Sequence, residues 1–199
     1  MSAFTELQKT RRSIYAIGKN VTLSQDQLSA LIKSAVREAP SSFNSQSSRA
    51  VILFGAEHEK LWNIVLDTLR KIVPADAFAA TETKVNNCFK AGFGTVLYFE
   101  DQDVVAGLQQ QFAAYAENFP IWSEQASGIA QYAVWLALAE AGLGATLQHY
   151  NPIIDEEVAK TWDIPASWKL RAQMPFGSIE APAGEKTYID DEQRFKIFA

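Results

Sequence analysis

Apolar positions along the chain follow three rhythms, and each predicts an element. From Ser24 onward, Leu28, Leu31, Ile32 and Ala35 recur at the three- and four-residue spacing of one helix face. Ser24 as N-cap and Gln27 three residues on make a capping box for that helix, and Pro40, which has no backbone N–H to donate, stops it. A weaker box, Thr5 with Gln8, predicts a helix starting near Thr5. Leu61, Trp62, Val65, Leu69 and Ile72 mark another, ended by Pro74, and Asp103 is the expected cap of a helix carrying Val104, Leu108, Phe112 and Tyr115. Two continuous apolar runs, AVILF at 50–54 and TVLYF at 95–99, have the length and residue types of buried strands. Near the end, Leu170, Ala172, Met174 and Phe176 alternate with Arg171, Gln173 and Pro175, which predicts a strand with one face more apolar than the other.

The stretch from about Ser123 to Leu143 keeps to no stripe. Ile129, Tyr132, Val134, Trp135, Leu136 and Leu138 point almost all round a helix, and such a helix must be covered all round. In a short chain a partner subunit is one route to that cover. Gly142 and Gly144 suit its C-terminus, where positive φ is needed. The sum is an α+β chain with four or five strands and more helix than strand. No repeat, low-complexity tract or linker divides it, so one domain over 1–199 is expected.

Composition narrows the function. The 48% hydrophobic and 21% charged residues are those of an ordinary folded chain, and a net charge of −5 supplies no basic face for nucleic acid or an anionic membrane. A single cysteine, Cys88, excludes an internal disulfide and fits a reducing compartment. His58 and His149 are far apart in sequence, which argues against a zinc site, and no metal is expected. No apolar stretch has the length of a membrane span and the N-terminus lacks a signal-peptide core, so a cytoplasmic location is expected.

Four constellations could carry chemistry. Arg11, Arg12 and Ser13 offer a guanidinium fork and a hydroxyl that suit phosphate, although a basic turn at a helix end needs no ligand. PSSFNSQSSR at 40–49 is a polar loop, rich in hydrogen-bonding side chains, that leads into a buried strand; Ser and Asn also favour ordinary turns. GLGATLQHYNP at 142–152 follows a helix, so its glycines are not a dinucleotide fingerprint, and neither a P-loop nor a G-x-S-x-G element is present. Phe112, Tyr115, Phe119 and Trp122 form an aromatic stripe, which is usually core. Pro120 interrupts the helical pattern there, so the later members are expected on a loop facing a pocket.

In order and in combination, these pieces resemble the FMN-dependent nitroreductase family, and LQHYNP resembles its short branch related to fungal nitroreductase-like proteins. The match runs through RRSIY at 11–15, PSSFNSQSSR, TVLYF, the long apolar helix, GLGATLQHYNP and the C-terminal segment 176–198. The resemblance implies a three-layer nitroreductase-like fold, a central, mostly antiparallel sheet flanked by helices, and an intertwined homodimer with two FMN sites at its interface. Arg11, Arg12 and Ser13 would meet the phosphate, ribityl chain and pyrimidine edge, with Tyr15 next in the motif. Ser41, Ser42, Asn44 and Gln46 would approach the flavin from one subunit, while Leu147, Gln148 and His149 line its other face. The backbone N–H near His149 would point at flavin N5. Lys186 would reach the phosphate, with Arg194 as a second cation, and Asn86 would lie near the pyrimidine edge.

The resemblance further implies that NADH or NADPH gives hydride to the flavin, after which a nitroaromatic or quinone takes two electrons in the same place. Phe112, Tyr115, Phe119 and Trp122 would wall that acceptor pocket. This chain departs from the family pattern at three places. Tyr15 stands where RRSxR has its third cation, Ser47 and Ser48 replace Pro-Trp after Gln46, and His149 replaces a glutamate. The alternative function is an FMN-binding regulatory or stress-response protein with incidental reductase activity. A third reading takes each constellation as purely structural and leaves a cofactor-free dimer.

Overall fold

The computed structural model describes residues 2–199. In chain order the elements are α1 (Ala3–Thr10), β1 (Ile17–Gly18), α2 (Gln25–Glu38), β2 (Ser48–Phe54), α3 (Gly55–Ile72), α4 (Ala75–Val85), β3 (Gly94–Asp101) and α5 (Gln102–Gln111). They continue with α6 (Phe119–Glu140), β4 (Gly144–Ala145), α7 (Asp155–Thr161), β5 (Trp168–Ile179) and α8 (Asp191–Arg194). Short 3-10 turns lie at Ser42–Asn44 and Ala113–Tyr115, and a π turn at Asn86–Lys90. The strands run β1-β5-β3-β2 with β4 also on β5, and every pairing is antiparallel.

Strand alternation divides the core into two layers. Leu97, Phe99 and Leu170 face Leu61, Trp62 and Val65 of α3 and Val158 of α7, while Val96, Tyr98, Ala172 and Met174 face Leu28 and Ile32 of α2 and Val134 and Leu138 of α6. Helices therefore cover both sheet faces, the expected three-layer architecture. The last strand forms with Ala172, Met174 and Phe176 on its more apolar face, but a bulge opposite Tyr98 and Phe99 turns Leu170 to the other layer, and on the less apolar face Gln173 is fully buried too.

The Ser24–Gln27 capping box forms with both of its hydrogen bonds. Three helix starts differ from expectation. Ser2, not Thr5, caps α1, accepting the Thr5 N–H. Asp101, not Asp103, caps α5, because its carboxylate accepts the Asp103 N–H at 3.2 Å. Helix α6 begins at Phe119, four residues early, with Pro120 in its first turn, where the missing N–H costs nothing. At its other end Gly142 has φ +76°, as expected, but Gly144 is a strand residue that approaches Ile14 too closely for a Cβ.

A buried network holds α3 to the sheet. Lys90 carbonyl oxygen can only accept, so His58 Nε2–H donates to it at 3.1 Å. Nδ1 then accepts from the Thr95 hydroxyl at 2.8 Å, and Thr95 Oγ1 accepts the Trp62 indole N–H at 3.0 Å. Burial pushes the His58 imidazole down to about 4, with nearby Lys19 and Lys90 acting in the same direction. The unfolded chain takes up a proton near pH 6.5 and the folded one only near 4, so this contribution is whole above 6.5 and lost as pH falls toward 4. Urea unfolding over that range should show a His58-dependent loss approaching roughly 3 kcal/mol. His58→Gln should flatten the slope; a variant with the parent slope would place the proton uptake elsewhere.

Candidate functional site

Arg11 is the C-cap of α1, with its own N–H bonded to Leu7 carbonyl oxygen at 2.9 Å. The bland reading of a cation at a helix end is thus part of the picture. Its side chain does more: the guanidinium stacks 4.4 Å from the Trp135 ring centroid and 5.9 Å from that of Tyr132, both on α6. Arg11 Nε and Trp135 Nε1 are both buried and bonded to nothing in the protein. A stacked pair with two orphan N–H donors fits an oxygen-rich or anionic group supplied from outside the protomer.

Arg12 extends from the same turn, and its Nη2 donates to Gly184 carbonyl oxygen at 2.9 Å, tying the C-terminal tail to this end of the molecule. Lys186 lies two residues further along, over the Tyr188 ring at 4.9 Å. Ser13 is exposed and pairs in parallel with Ala145, with Ile14 N–H bonded to Ala145 carbonyl oxygen at 3.0 Å. Half-exposed Tyr15 meets Phe89 of the π turn at 6.3 Å, which brings Asn86, at the start of that turn, to the same side. Arg194 stacks on its own neighbour Phe195 in α8.

Residues 146–151 form a strap along β5. Gln148 and Gln173 exchange both backbone hydrogen bonds, at 2.7 and 2.9 Å. The Gln173 side chain, fully buried, accepts the Tyr150 N–H at 2.7 Å and donates to Asn151 Oδ1 at 3.3 Å. Because Gln148 turns its N–H toward β5, strand alternation turns that of His149 away. The His149 ring is exposed, and Leu147 packs against the core beneath α2 and α6. Nothing in the apolar pattern marked Gln173 as a site residue; the one available signal was an amide inside a strand that is otherwise apolar.

The second half of the predicted site is elsewhere. Ser41 Oγ accepts the Gln46 N–H at 2.9 Å, and Phe43, Asn44 and Gln46 all have left-handed φ, +57°, +50° and +48°. Phe43, absent from the expected site, is the hub of the aromatic cluster, with its ring 4.8 Å from Phe112, 5.9 Å from Tyr115, 5.3 Å from Phe119 and 6.0 Å from Trp122. Its one sequence signal, a large apolar residue in a polar loop, does not by itself mark a site. Phe119 and Trp122 sit on the first turns of α6 rather than on the expected loop. Phe119 is core, whereas Tyr115 and Phe43 remain about half exposed, so the stripe divides between core and surface. A cavity of 300 Å³ lies beside it, lined by Ser41, Ser42, Trp122 and Ile129.

One protomer does not join the two halves. At roughly 1.5 Å and 100° per residue, Trp122 and Trp135 stand about 20 Å apart along α6 and about 140° apart around it. The Arg11 turn lies on one flank of the buried stripe of α6 and the 41–46 loop on the other. A larger groove of 490 Å³, between α2 and β2, holds none of the predicted site residues. Among the described residues, no group of three His, Cys, Asp or Glu side chains is placed to hold a metal, and no helix is long and apolar enough to cross a membrane.

Comparison with known proteins adds to this geometry. The sequence model of the Nitroreductase family matches residues 9–178. The HBN1 protein of Saccharomyces cerevisiae is 37% identical over 197 residues, covering 96% of this chain and 97% of its own. Among solved structures, the nitroreductase CinD of Lactococcus lactis, in complexes with chloramphenicol and with 4-nitrophenol, is 55% identical, with a TM-score of 0.90 over 99% of this chain and 100% of its own. A nitroreductase with bound FMN from Desulfitobacterium hafniense superposes with a TM-score of 0.72 over all of both chains; at 15% identity it speaks to the fold.

The Gln173 anchor generates a test of the strap. Gln173→Leu keeps the bulk but leaves the Tyr150 N–H without its partner, which should cost roughly 1–3 kcal/mol in urea unfolding. Stability equal to the parent would mean that the strap finds its hydrogen bonds elsewhere.

Proposed function

We propose that this chain, which belongs to the nitroreductase family, is an FMN-dependent NAD(P)H oxidoreductase that passes two electrons to flat nitroaromatic or quinone-type acceptors. The observation that carries this reading is the Arg11–Trp135 stack with its two unpaired buried N–H groups. Those donors fit the phosphate and ribityl oxygens of FMN, and a guanidinium held against an indole is already ordered before it binds. When bound, FMN would supply a ring that accepts hydride at N5 and releases two electrons to the next ligand.

The remaining roles are those the family resemblance implies, and the positions of the residues are compatible with them. Arg12 and Ser13 would hold negative charge at the pyrimidine edge, and Lys186 would add a cation from the tethered tail. The outward His149 N–H would donate to N5. Ser41, Ser42, Asn44 and Gln46 would meet the opposite side, beside the ring wall of Phe43, Tyr115 and Trp122 where nicotinamide and acceptor would take turns. The 4-nitrophenol complex of CinD, a protein 55% identical to this one, supports nitroaromatics as one acceptor class.

Because the halves lie on different flanks of α6, a complete site needs two copies, each giving one half. Two further features support a homodimer. Ile121, Ile129 and Tyr132 leave a flank of α6 exposed and apolar, and the tail carries exposed Ile189, Phe195, Ile197 and Phe198.

Purified protein should be yellow, release FMN on heating and oxidise NADH or NADPH when 4-nitrophenol or a quinone is present. A flavin-replete sample without turnover would favour the regulatory alternative. Arg11→Ala should weaken FMN binding by roughly 1.5–3 kcal/mol, about 10- to 150-fold in Kd. Unchanged affinity would remove Arg11 from the phosphate site. Ile129→Glu, at a half-exposed position that a monomer tolerates, should shift the sedimentation profile from dimer to monomer. A dimer that survives it would place the interface away from this flank.

A further inference from the structure

Glu100, near the end of β3, is fully buried, and among the described residues no cation forms an ion pair with it. Three serine hydroxyls converge on its carboxylate from three places. Oε2 accepts from Ser47, just ahead of β2, and from Ser123 of α6, each at 2.6 Å, and Oε1 accepts from Ser48 of β2. Ser47 and Ser123 are themselves buried. Arg49, next to Ser48 in β2, is committed to Asp101 at 2.9 Å and to Gln46 carbonyl oxygen at 2.5 Å.

This clasp sits where the loop most needs holding. Three of the four residues Phe43 to Gln46 are left-handed without being glycine, a conformation that persists only where surroundings over-determine it. The loop's internal hydrogen bonds, Asn44 N–H to Ser41 carbonyl oxygen and Gln46 N–H to Ser41 Oγ, shape it but tie it to nothing else. Beside the packing of the Phe43 ring, Ser47, Ser48 and Arg49 supply the polar outside anchors, and Ser123 carries the anchor across to the helix that bears Phe119 and Trp122. Beside the clasp the contact is close, with a cavity of only about 10 Å³ among Ser42, Ser45, Ser47, Phe119 and Ser123, whereas the 300 Å³ cavity opens further along the helix at Ser41, Trp122 and Ile129. Pure packing would be served as well by an apolar residue, since a buried carboxylate must have its lost hydration replaced by hydrogen bonds, and here all three donors are hydroxyls bordering the loop and α6.

We propose that Glu100 is a positioning residue: through the Ser47, Ser48 and Ser123 hydroxyls it locks the 41–46 loop to the start of α6 and so fixes the geometry of the flavin-side loop and of the ring wall beside it. This rests on the FMN-binding reading of that loop, and its first test does not.

Hydrogen exchange of the flavin-free protein reads the lock directly. Ser123→Ala removes one donor from α6, remote in sequence from the loop, and Glu100→Gln keeps the shape but only one acceptor oxygen. Each should speed exchange at the Asn44 and Gln46 amides by about tenfold while amides of α3 keep their protection. Titration with FMN should then show a Kd raised about three- to tenfold in both variants, with Ser47→Ala behaving alike and the Ser47→Ala/Ser123→Ala pair less than additive. If Glu100→Gln fails to fold, the two serine variants carry the test. Loop amides exchanging within about twofold of the parent overturn the proposal even if the melting temperature falls. A loosened loop with unchanged FMN affinity overturns the assignment to the flavin side. Failure of the parent protein to bind FMN would instead overturn the functional reading, while exchange still decides whether Glu100 locks the loop.

Discussion

The structure is governed by the cost of a polar group inside a sheet covered on both faces. β3 and β5 run through the middle of the molecule, and Thr95, Glu100 and Gln173 on them are fully buried. None of the three can turn to water, so each recruits a partner from outside the sheet. Thr95 gathers His58 and Trp62 and fixes α3; Gln173 gathers Tyr150 and Asn151 and fixes the strap; Glu100 gathers three serines next to the polar loop. The apolar residues of these strands give stability without direction. The three polar ones give direction, and two of them aim at the halves of the candidate site.

The division of that site follows from α6. Its buried stripe is used up by the sheet and α2, which leaves two flanks to hold ligand-facing groups. One flank stacks Arg11 on Trp135, and the other carries Phe119 and Trp122 against Phe43. A helix with only two charged residues, Glu124 and Glu140, has little else to offer water along its remaining surface. A second copy packed on that surface would cover it and bring opposite flanks of two α6 helices together. Helix coverage and site completion thereby become one requirement.

What the sequence revealed follows the range of each interaction. The Ser24–Gln27 box, the buried TVLYF strand and the left-handed Gly142 are local and formed as expected, while the AVILF run formed its strand but lies on the sheet edge, where only Leu53 is buried. Asp101 displaced Asp103 as a cap, and Pro120 fell inside a helix instead of before it, because first-turn chemistry tolerates both registers and packing chose between them. The Arg11 turn and the polar loop were legible as chemistry, and family resemblance supplied their joint purpose. Phe43, Gln173 and Glu100 were not legible. A lone phenylalanine among serines, an amide in a strand and a glutamate after TVLYF acquire meaning only from partners 20 to 80 residues away, which no periodicity encodes.

The charge pattern bears on why the Arg-Arg turn stays available in a chain of net charge −5. Arg49, Arg70 and Arg171 each pair with a carboxylate, as do Lys9, Lys19 and Lys60. Among the described residues no carboxylate pairs with Arg11 or Arg12; one is held by aromatic rings and the other by a carbonyl oxygen. Rings and carbonyls fix a guanidinium in place without neutralising it, whereas a carboxylate would do both. An anion arriving at Arg11 therefore displaces no resident counter-charge, and its approach to an otherwise acidic protein is favoured at this turn and disfavoured over most of the remaining surface. Acidic composition and a binding site for an anionic cofactor are thus compatible: net charge sums the whole surface, whereas Arg11 and Arg12 are oriented by groups that leave their charge intact.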